Sequence, residues 1–188
     1  GDGDADVFAG DTTLGYHWYE NRLAGGLAWL KHFMAGTVGA ARRTIRAADV
    51  DGDGDADAAV AAHWGTSNTL AWLENAAGDG SLWNRHLLLS ASPVQGNALA
   101  PVDLDRDGDV DLLRATELGL GWYESLDGTG TSWSERVLFG GAQSASTLCA
   151  FGDVDSDGDR DVLATRVLSG GSQVKLSAYA NETLVTPY

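Results

Sequence analysis

Asp49-Val-Asp-Gly-Asp-Gly-Asp-Ala-Asp57 places a carboxylate at every second residue and a glycine at its sixth position. The pattern returns as Asp103-Leu-Asp-Arg-Asp-Gly-Asp-Val-Asp111 and as Asp153-Val-Asp-Ser-Asp-Gly-Asp-Arg-Asp161. A clipped copy, Gly1-Asp-Gly-Asp-Ala-Asp6, opens the chain. Carboxylates at positions 1, 3 and 5 of a tight loop can converge on one point. The glycine at position 6 (Gly54, Gly108, Gly158) permits the sharp turn, and position 7 offers its carbonyl. An all-oxygen donor set suits Ca²⁺; Zn²⁺ would call for Cys or His, and Mg²⁺ tolerates so crowded a cage poorly. The plainer reading, solvated Asp-Gly turns, stands beside this one.

The loops recur at a nearly fixed interval. Asp2, Asp53, Asp107 and Asp157 match one another, at offsets of 51, 54 and 50 residues. Each of the first three loops is followed by a second motif: Trp18-Tyr-Glu-Asn21, Trp72-Leu-Glu-Asn75 and Trp122-Tyr-Glu-Ser125. A further tryptophan lies 11 residues beyond each: Trp29, Trp83 and Trp133. Ala178-Tyr-Ala-Asn181 is the degenerate fourth copy. Between the motifs lie short apolar segments bounded by Gly, Ser, Asn and Asp, a pattern of strands and turns, and no helical periodicity is sustained.

Four short strands per ~50 residues is close to a β-propeller blade. The strands fall before the loop (Thr44–Ala48, Ala98–Val102, Leu148–Gly152), after it, on the tryptophan motif, and over Leu82–Leu88 or Ser132–Leu138. The predicted fold is all-β, with blades of four antiparallel strands and about 3.5 blades in one segment, 1–188. Its repeats run approximately 1–40, 41–92, 93–142 and 143–188, the first lacking its first strand. Glu182–Tyr188 is the one stretch left to serve as a last strand of the fourth. An unpaired strand edge invites a partner. The chain reads as part of something longer, completed by upstream sequence or by a homo-oligomer contact at that edge.

An EF-hand would place a bidentate Glu at position 12, which here holds Val60, Arg114 and Ala164. Position 9 is Asp throughout, so closure is expected from Asp57, Asp111 and Asp161. Asp-x-Asp-x-Asp-Gly-x-x-Asp between strands, with Trp-Tyr-Glu-Asn downstream, resembles the FG-GAP/VCBS repeat of integrin α-like propellers and many secreted bacterial proteins. The resemblance implies three Ca²⁺ sites. Their ligands would be Asp49, Asp51, Asp53, Asp55 (through its carbonyl) and Asp57; Asp103, Asp105, Asp107, Asp109 and Asp111; and Asp153, Asp155, Asp157, Asp159 and Asp161. A fourth site is incomplete, since Asp2, Asp4 and Asp6 match only positions 5, 7 and 9. It also implies an extracellular or cell-surface place.

The composition agrees with ligand-like acidity. The net charge is −15, and 18 of the 27 acidic residues are loop aspartates. So acidic a chain repels nucleic acid and anionic membranes, and no apolar run approaches membrane-spanning length. Cys149 is the sole cysteine, aligned with Ile45 and Leu99 as a small buried hydrophobe. Six of the seven tryptophans are repeat-equivalent and read as packing between blades. Glu20, Glu74 and Glu124 are expected as hydrogen-bonding partners, and His32, His86 and Arg136 as one polar strand position.

His63 and Trp64 are unrepeated and are candidates for ligand contact, an exposed ring being suited to stack on a sugar. No catalytic constellation is visible. The expected function is a calcium-binding extracellular module for binding, adhesion or assembly, with a protein or glycan ligand. Two alternatives are a part of a carbohydrate-binding or carbohydrate-active secreted protein, and a self-assembling structural subunit.

Overall fold

Four antiparallel sheets follow one another along the chain in the computed structural model. It describes residues 3–11, 15–22, 28–36, 44–64, 67–92, 96–116, 119–140, 146–167 and 174–181. The first sheet holds β1 (Val7–Asp11), β2 (Gly15–Asn21) and β3 (Trp29–Ala35). The second holds β4 (Thr44–Ala48), β5 (Asp57–Trp64), β6 (Ser67–Glu74) and β7 (Asn84–Ser92). The third holds β8 (Gly96–Val102), β9 (Asp111–Thr116), β10 (Gly119–Ser125) and β11 (Trp133–Gly140). In the fourth are β12 (Ser146–Gly152), β13 (Asp161–Val167) and β14 (Val174–Tyr179). Strands adjacent in sequence are neighbours in every sheet, so each is a simple meander. These are blades of a partial propeller, the middle two complete and the outer two with three described strands each. Glu182–Tyr188 lies outside the described residues.

The sheets stack because the middle strands are apolar on both sides. Side chains alternate across a strand, so consecutive residues serve opposite faces. In the second sheet Ala58, Val60, Ala71 and Leu73 face Tyr16 and Met34 of the first. Their alternates Ala59, Ala61, Leu70 and Trp72 pack with Leu99, Leu112 and Tyr123 of the third. Leu113, Ala115 and Leu120 carry the stack on to Val162 and Ala164 of the fourth. A strand covered on both faces reads as a continuous apolar run, which explains Ala58-Ala-Val-Ala61.

Five of the six repeat-equivalent tryptophans, Trp18, Trp72, Trp83, Trp122 and Trp133, pack in the cores between sheets, whereas Trp29, at the start of β3, is 47% exposed. Trp18 lies on Gly80 of the next sheet, donating from Nε1 to its carbonyl at 3.2 Å. A Cβ added to Gly80 would sit 2.7 Å from the Trp18 ring, and one on Gly130 would sit 2.5 Å from Trp72. Only glycine permits that approach. One strand boundary differs from expectation: β7 begins at Asn84, leaving Leu82 and Trp83 in the turn. The physical reason is that the Asn75 carbonyl accepts the Gly78 N–H at 2.8 Å and the Asn75 N–H goes to Asp57, so the ladder ends at Glu74–Asn84. Trp83 Nε1 bonds to the Gly80 carbonyl at 2.9 Å across the turn. Trp133 repeats this bond to Gly130 at 2.9 Å.

Candidate metal centre

In the second, third and fourth sheets the acidic loop links the first strand to the second, so two paired strands hold its ends. Within the loop the chain turns on its own aspartates. Asp51, Asp105 and Asp155 each accept the N–H two residues on through Oδ1, at 3.3, 3.3 and 3.2 Å. Asp53, Asp107 and Asp157 do the same at 3.0, 2.9 and 2.9 Å. These successive side-chain-closed turns are a local preference of Asp. Two left-handed residues complete each curl. Position 6 has φ of 95°, 100° and 92° at Gly54, Gly108 and Gly158, and Gly3 of the clipped loop has 91°. Position 4 is left-handed as well: Gly52 (φ 74°), Arg106 (φ 64°) and Ser156 (φ 68°).

The curl gathers carboxylates. Asp49, Asp51 and Asp53 bring one oxygen each to within 4.8 Å of one another. The same holds for Asp103, Asp105 and Asp111, and for Asp153, Asp155 and Asp161. Asp107, Asp109, Asp157 and Asp159 lie in the same loops beyond these triples. Val60, Arg114 and Ala164, at position 12, are buried in the strands.

Several carboxylate oxygens are buried without a hydrogen-bond donor among the described residues: Oδ1 of Asp49, Asp55, Asp103 and Asp159. An unpaired buried polar atom costs ~1–3 kcal/mol, so these oxygens demand an electropositive partner. Burial raises the pKa of Asp51, Asp55 and Asp105 above the usual carboxylate range. Convergent, dehydrated, donor-starved oxygens of this kind fit a hard divalent cation.

Position 9 carries a second role that the sequence reading did not anticipate. Asp57 Oδ2 accepts the Val50 N–H at 2.9 Å, and its Oδ1 accepts the Asn75 N–H at 2.8 Å. Asp111 accepts from Leu104 and Ser125 at 3.0 and 2.9 Å. Asp161 accepts from Val154 and Asn181 at 2.7 and 2.9 Å. One carboxylate thus ties the start of its loop to the end of the tryptophan-motif strand. Burial pushes Asp57 and Asp111 up to about 6 despite these bonds. In Asp161 the bonds from Val154 and Asn181 win, and its pKa is lowered.

In the clipped loop Asp6 Oδ1 accepts the Asn21 N–H at 2.8 Å, whereas Asp2 lies outside the described residues. Asp4 is exposed on that loop. His63 and Trp64 end β5, opposite Asn68 and Ser67, and their side chains lie outside the described residues. Asp11–Gly15, His63–Asn68, Glu117–Gly119 and Arg166–Ser172, the unrepeated connections, are described only at their margins.

The repeated glutamates are partners, as expected. Glu20 meets His32 at 2.9 Å, Glu74 meets His86 at 2.6 Å, and Glu124 meets Arg136 at 2.6 Å. Each imidazole also stacks on its sheet's tryptophan, at 4.1 Å for Trp18–His32 and 4.3 Å for Trp72–His86. Cys149 packs against the third core, and burial pushes its thiol up to about 12, so it is no nucleophile at neutral pH.

A protein-family model described as FG-GAP-like repeat matches residues 1–60 and 103–164, about two thirds of the chain. No curated protein matches it.

Proposed function

The chain belongs to the FG-GAP-like repeat family, a β-propeller-like module, and from that premise we propose that it is a calcium-stapled extracellular binding, adhesion or assembly module without catalytic chemistry. The observation that carries this reading is the set of buried Oδ1 atoms of Asp49, Asp55, Asp103 and Asp159 that have no donor among the described residues. Asp49, Asp51 and Asp53 would hold one ion, with Asp103, Asp105 and Asp111, and Asp153, Asp155 and Asp161, holding two more. Bound calcium would supply neutralising charge and nothing reactive.

The residues of the chain do the rest. The Asx turns pre-shape each loop, and position 9 couples it to the strand that carries the seam tryptophan. Two carboxylates ~4 Å apart repel by roughly 4 kcal/mol at an effective dielectric of 20, so an empty loop is under strain. Neutralising it would stiffen the sheet stack. The unrepeated connections would then present a protein or glycan ligand from a rigid frame.

Calorimetric titration should show three calcium sites. A site saturated 100-fold contributes about 2.7 kcal/mol, so excess chelator should lower the melting temperature by many degrees. An unchanged melting temperature in chelator sinks the proposal.

A further inference from the structure

The third and fourth sheets meet at a cleft that gathers two arginines in an acidic chain. It has a volume of about 490 Å³, and Arg106, Arg160, Phe151, Asp103 and Asp153 line it. With 12 Lys and Arg against 27 Asp and Glu, an arginine here finds a carboxylate easily. Arg22, Arg114 and Arg136 each do. Arg106 and Arg160 do not: among the described residues neither guanidinium has a hydrogen bond or an ion pair. The carboxylates beside them are committed to their own loops. Asp153 accepts the Ser156 and Gly158 N–H groups at 2.7 and 3.1 Å. Asp103 converges with Asp105 and Asp111.

Arg106 holds a costly place. Its φ of 64° is left-handed, where Gly52 fills the same loop position with no Cβ to strain. Its side chain crosses the seam, with Nη2 3.7 Å from where a Cβ on Gly158 would lie. A staple onto the fourth loop would need an ion pair, and the guanidinium does no more than favour the ionised form of Asp159. A strained residue whose charged side chain is exposed and unpaired is placed for something outside the chain. The ring beside it is open as well. Phe151 lies opposite Val162, which packs into the core against the third sheet, yet it is 38% exposed. None of this recurs one seam earlier, where Gly52, Pro101 and Val110 stand for Arg106, Phe151 and Arg160.

We propose that this cleft binds a carboxylate-bearing sugar, a uronate unit of an acidic glycan. The guanidiniums present planar pairs of donors that match a carboxylate. The Phe151 ring offers an apolar surface for one face of the pyranose, a flat face that an Asp or Glu side chain of a peptide lacks. Calcium in the flanking loops would neutralise Asp103 and Asp153 and remove their repulsion of the incoming anion. The inference names the ligand of the binding module proposed above and rests on that reading.

The test is calorimetric titration of the full chain, in saturating calcium, with a disaccharide ending in glucuronate and with its uncharged glucose counterpart. Glucuronate should bind at least about tenfold more tightly. Arg160→Ala and Arg106→Gly should each abolish that preference. Arg106→Gly should do so with its melting temperature unchanged or raised, the opposite of what losing a staple would produce. Phe151→Ala should weaken both sugars, because it removes the ring and keeps the charges. Equal affinity for the two sugars, or a preference that survives both arginine substitutions, overturns the site. So does a lowered melting temperature in Arg106→Gly with glucuronate binding intact. A short aspartate peptide that binds as tightly as glucuronate and competes with it overturns the sugar in favour of an acidic protein partner. Failure of glucuronate to bind, while chelator still lowers the melting temperature, overturns the cleft and leaves the calcium-stapled module standing.

Discussion

Asp57 and Asp6 hold the same place in two copies of one loop, and their surroundings differ at almost every point. Asp57 is 1% exposed and accepts two backbone N–H groups, one from its own loop and one from Asn75. Among the described residues, Asp6 is exposed and accepts one, from Asn21. The strand that covers Asp57 also covers Ala58, whereas Val7, the residue after Asp6, faces solvent. The loop and the blade are therefore one unit. Where a described strand precedes the loop, the position-9 carboxylate is buried and takes two N–H groups; where none of the described strands does, it is exposed and takes one.

The largest expected effect tests this contrast directly. In metal-free buffer Asp57→Ala strands two buried N–H groups and should cost about 2–4 kcal/mol, measured by urea unfolding. Asp6→Ala should cost below about 1 kcal/mol, and equal costs would break the comparison.

The seam glycines come next. Gly130→Ala combines φ +67° with a methyl 2.5 Å from Trp72, which is 1% exposed and has no room to yield. Its cost should be about 2–4 kcal/mol. Gly80→Ala meets Trp18 at 2.7 Å, but that ring borders an open cleft and can swing away. About 1–2 kcal/mol is expected there, mostly the left-handed backbone.

A smaller effect concerns pH. Asp57 and Asp111 ionise near pH 6 in the folded protein, against 3.8 ordinarily. A raised folded pKa means stability that is present below the unfolded value and is lost as pH rises through the folded one. The metal-free melting temperature should therefore carry a falling contribution between pH 4 and 6, which Asp111→Asn flattens. With calcium present the trend should reverse, because protons compete with the ion. A slope identical in wild type and Asp111→Asn would count against the burial of this carboxylate.

The smallest effect separates the second loop from the third. Arg106 holds φ 64° where Gly52 holds 74°. Arg106→Gly should stabilise the third loop by up to about 1 kcal/mol, and Gly52→Arg should cost about as much. Asp159 gives up some of this gain, since the Arg106 guanidinium favours its ionised form.

Much of the fold was legible because the repeat writes it several times. β4 spans Thr44–Ala48 as the apolar segment predicts, and the four sheets follow the four copies of the repeat. The site was legible in its carboxylates at positions 1 and 3, which side-chain alternation brings together. The left-handed position 4 was hidden, because Gly52, Arg106 and Ser156 share no side-chain chemistry, only a backbone need. The bracing by position 9 was hidden for a related reason. Its partners are main-chain N–H groups of Val50, Leu104, Asn75 and Ser125, which have no common residue type. Leu82 and Trp83 misled as strand residues because what stops the ladder is a bond between the Asn75 carbonyl and the Gly78 N–H, backbone groups that carry no residue signature.

The glycine seat of each tryptophan also sets a timetable. Trp18 waits for Gly80, 62 residues downstream. At translation rates of about 5–20 residues per second, that is about 3–12 s on the ribosome with an indole bare. Trp72 then waits for Gly130 in its turn. Synthesis thus carries a moving patch of unsheltered aromatic surface, always one sheet behind the newest, and crowding or chaperones would act on the nascent chain there.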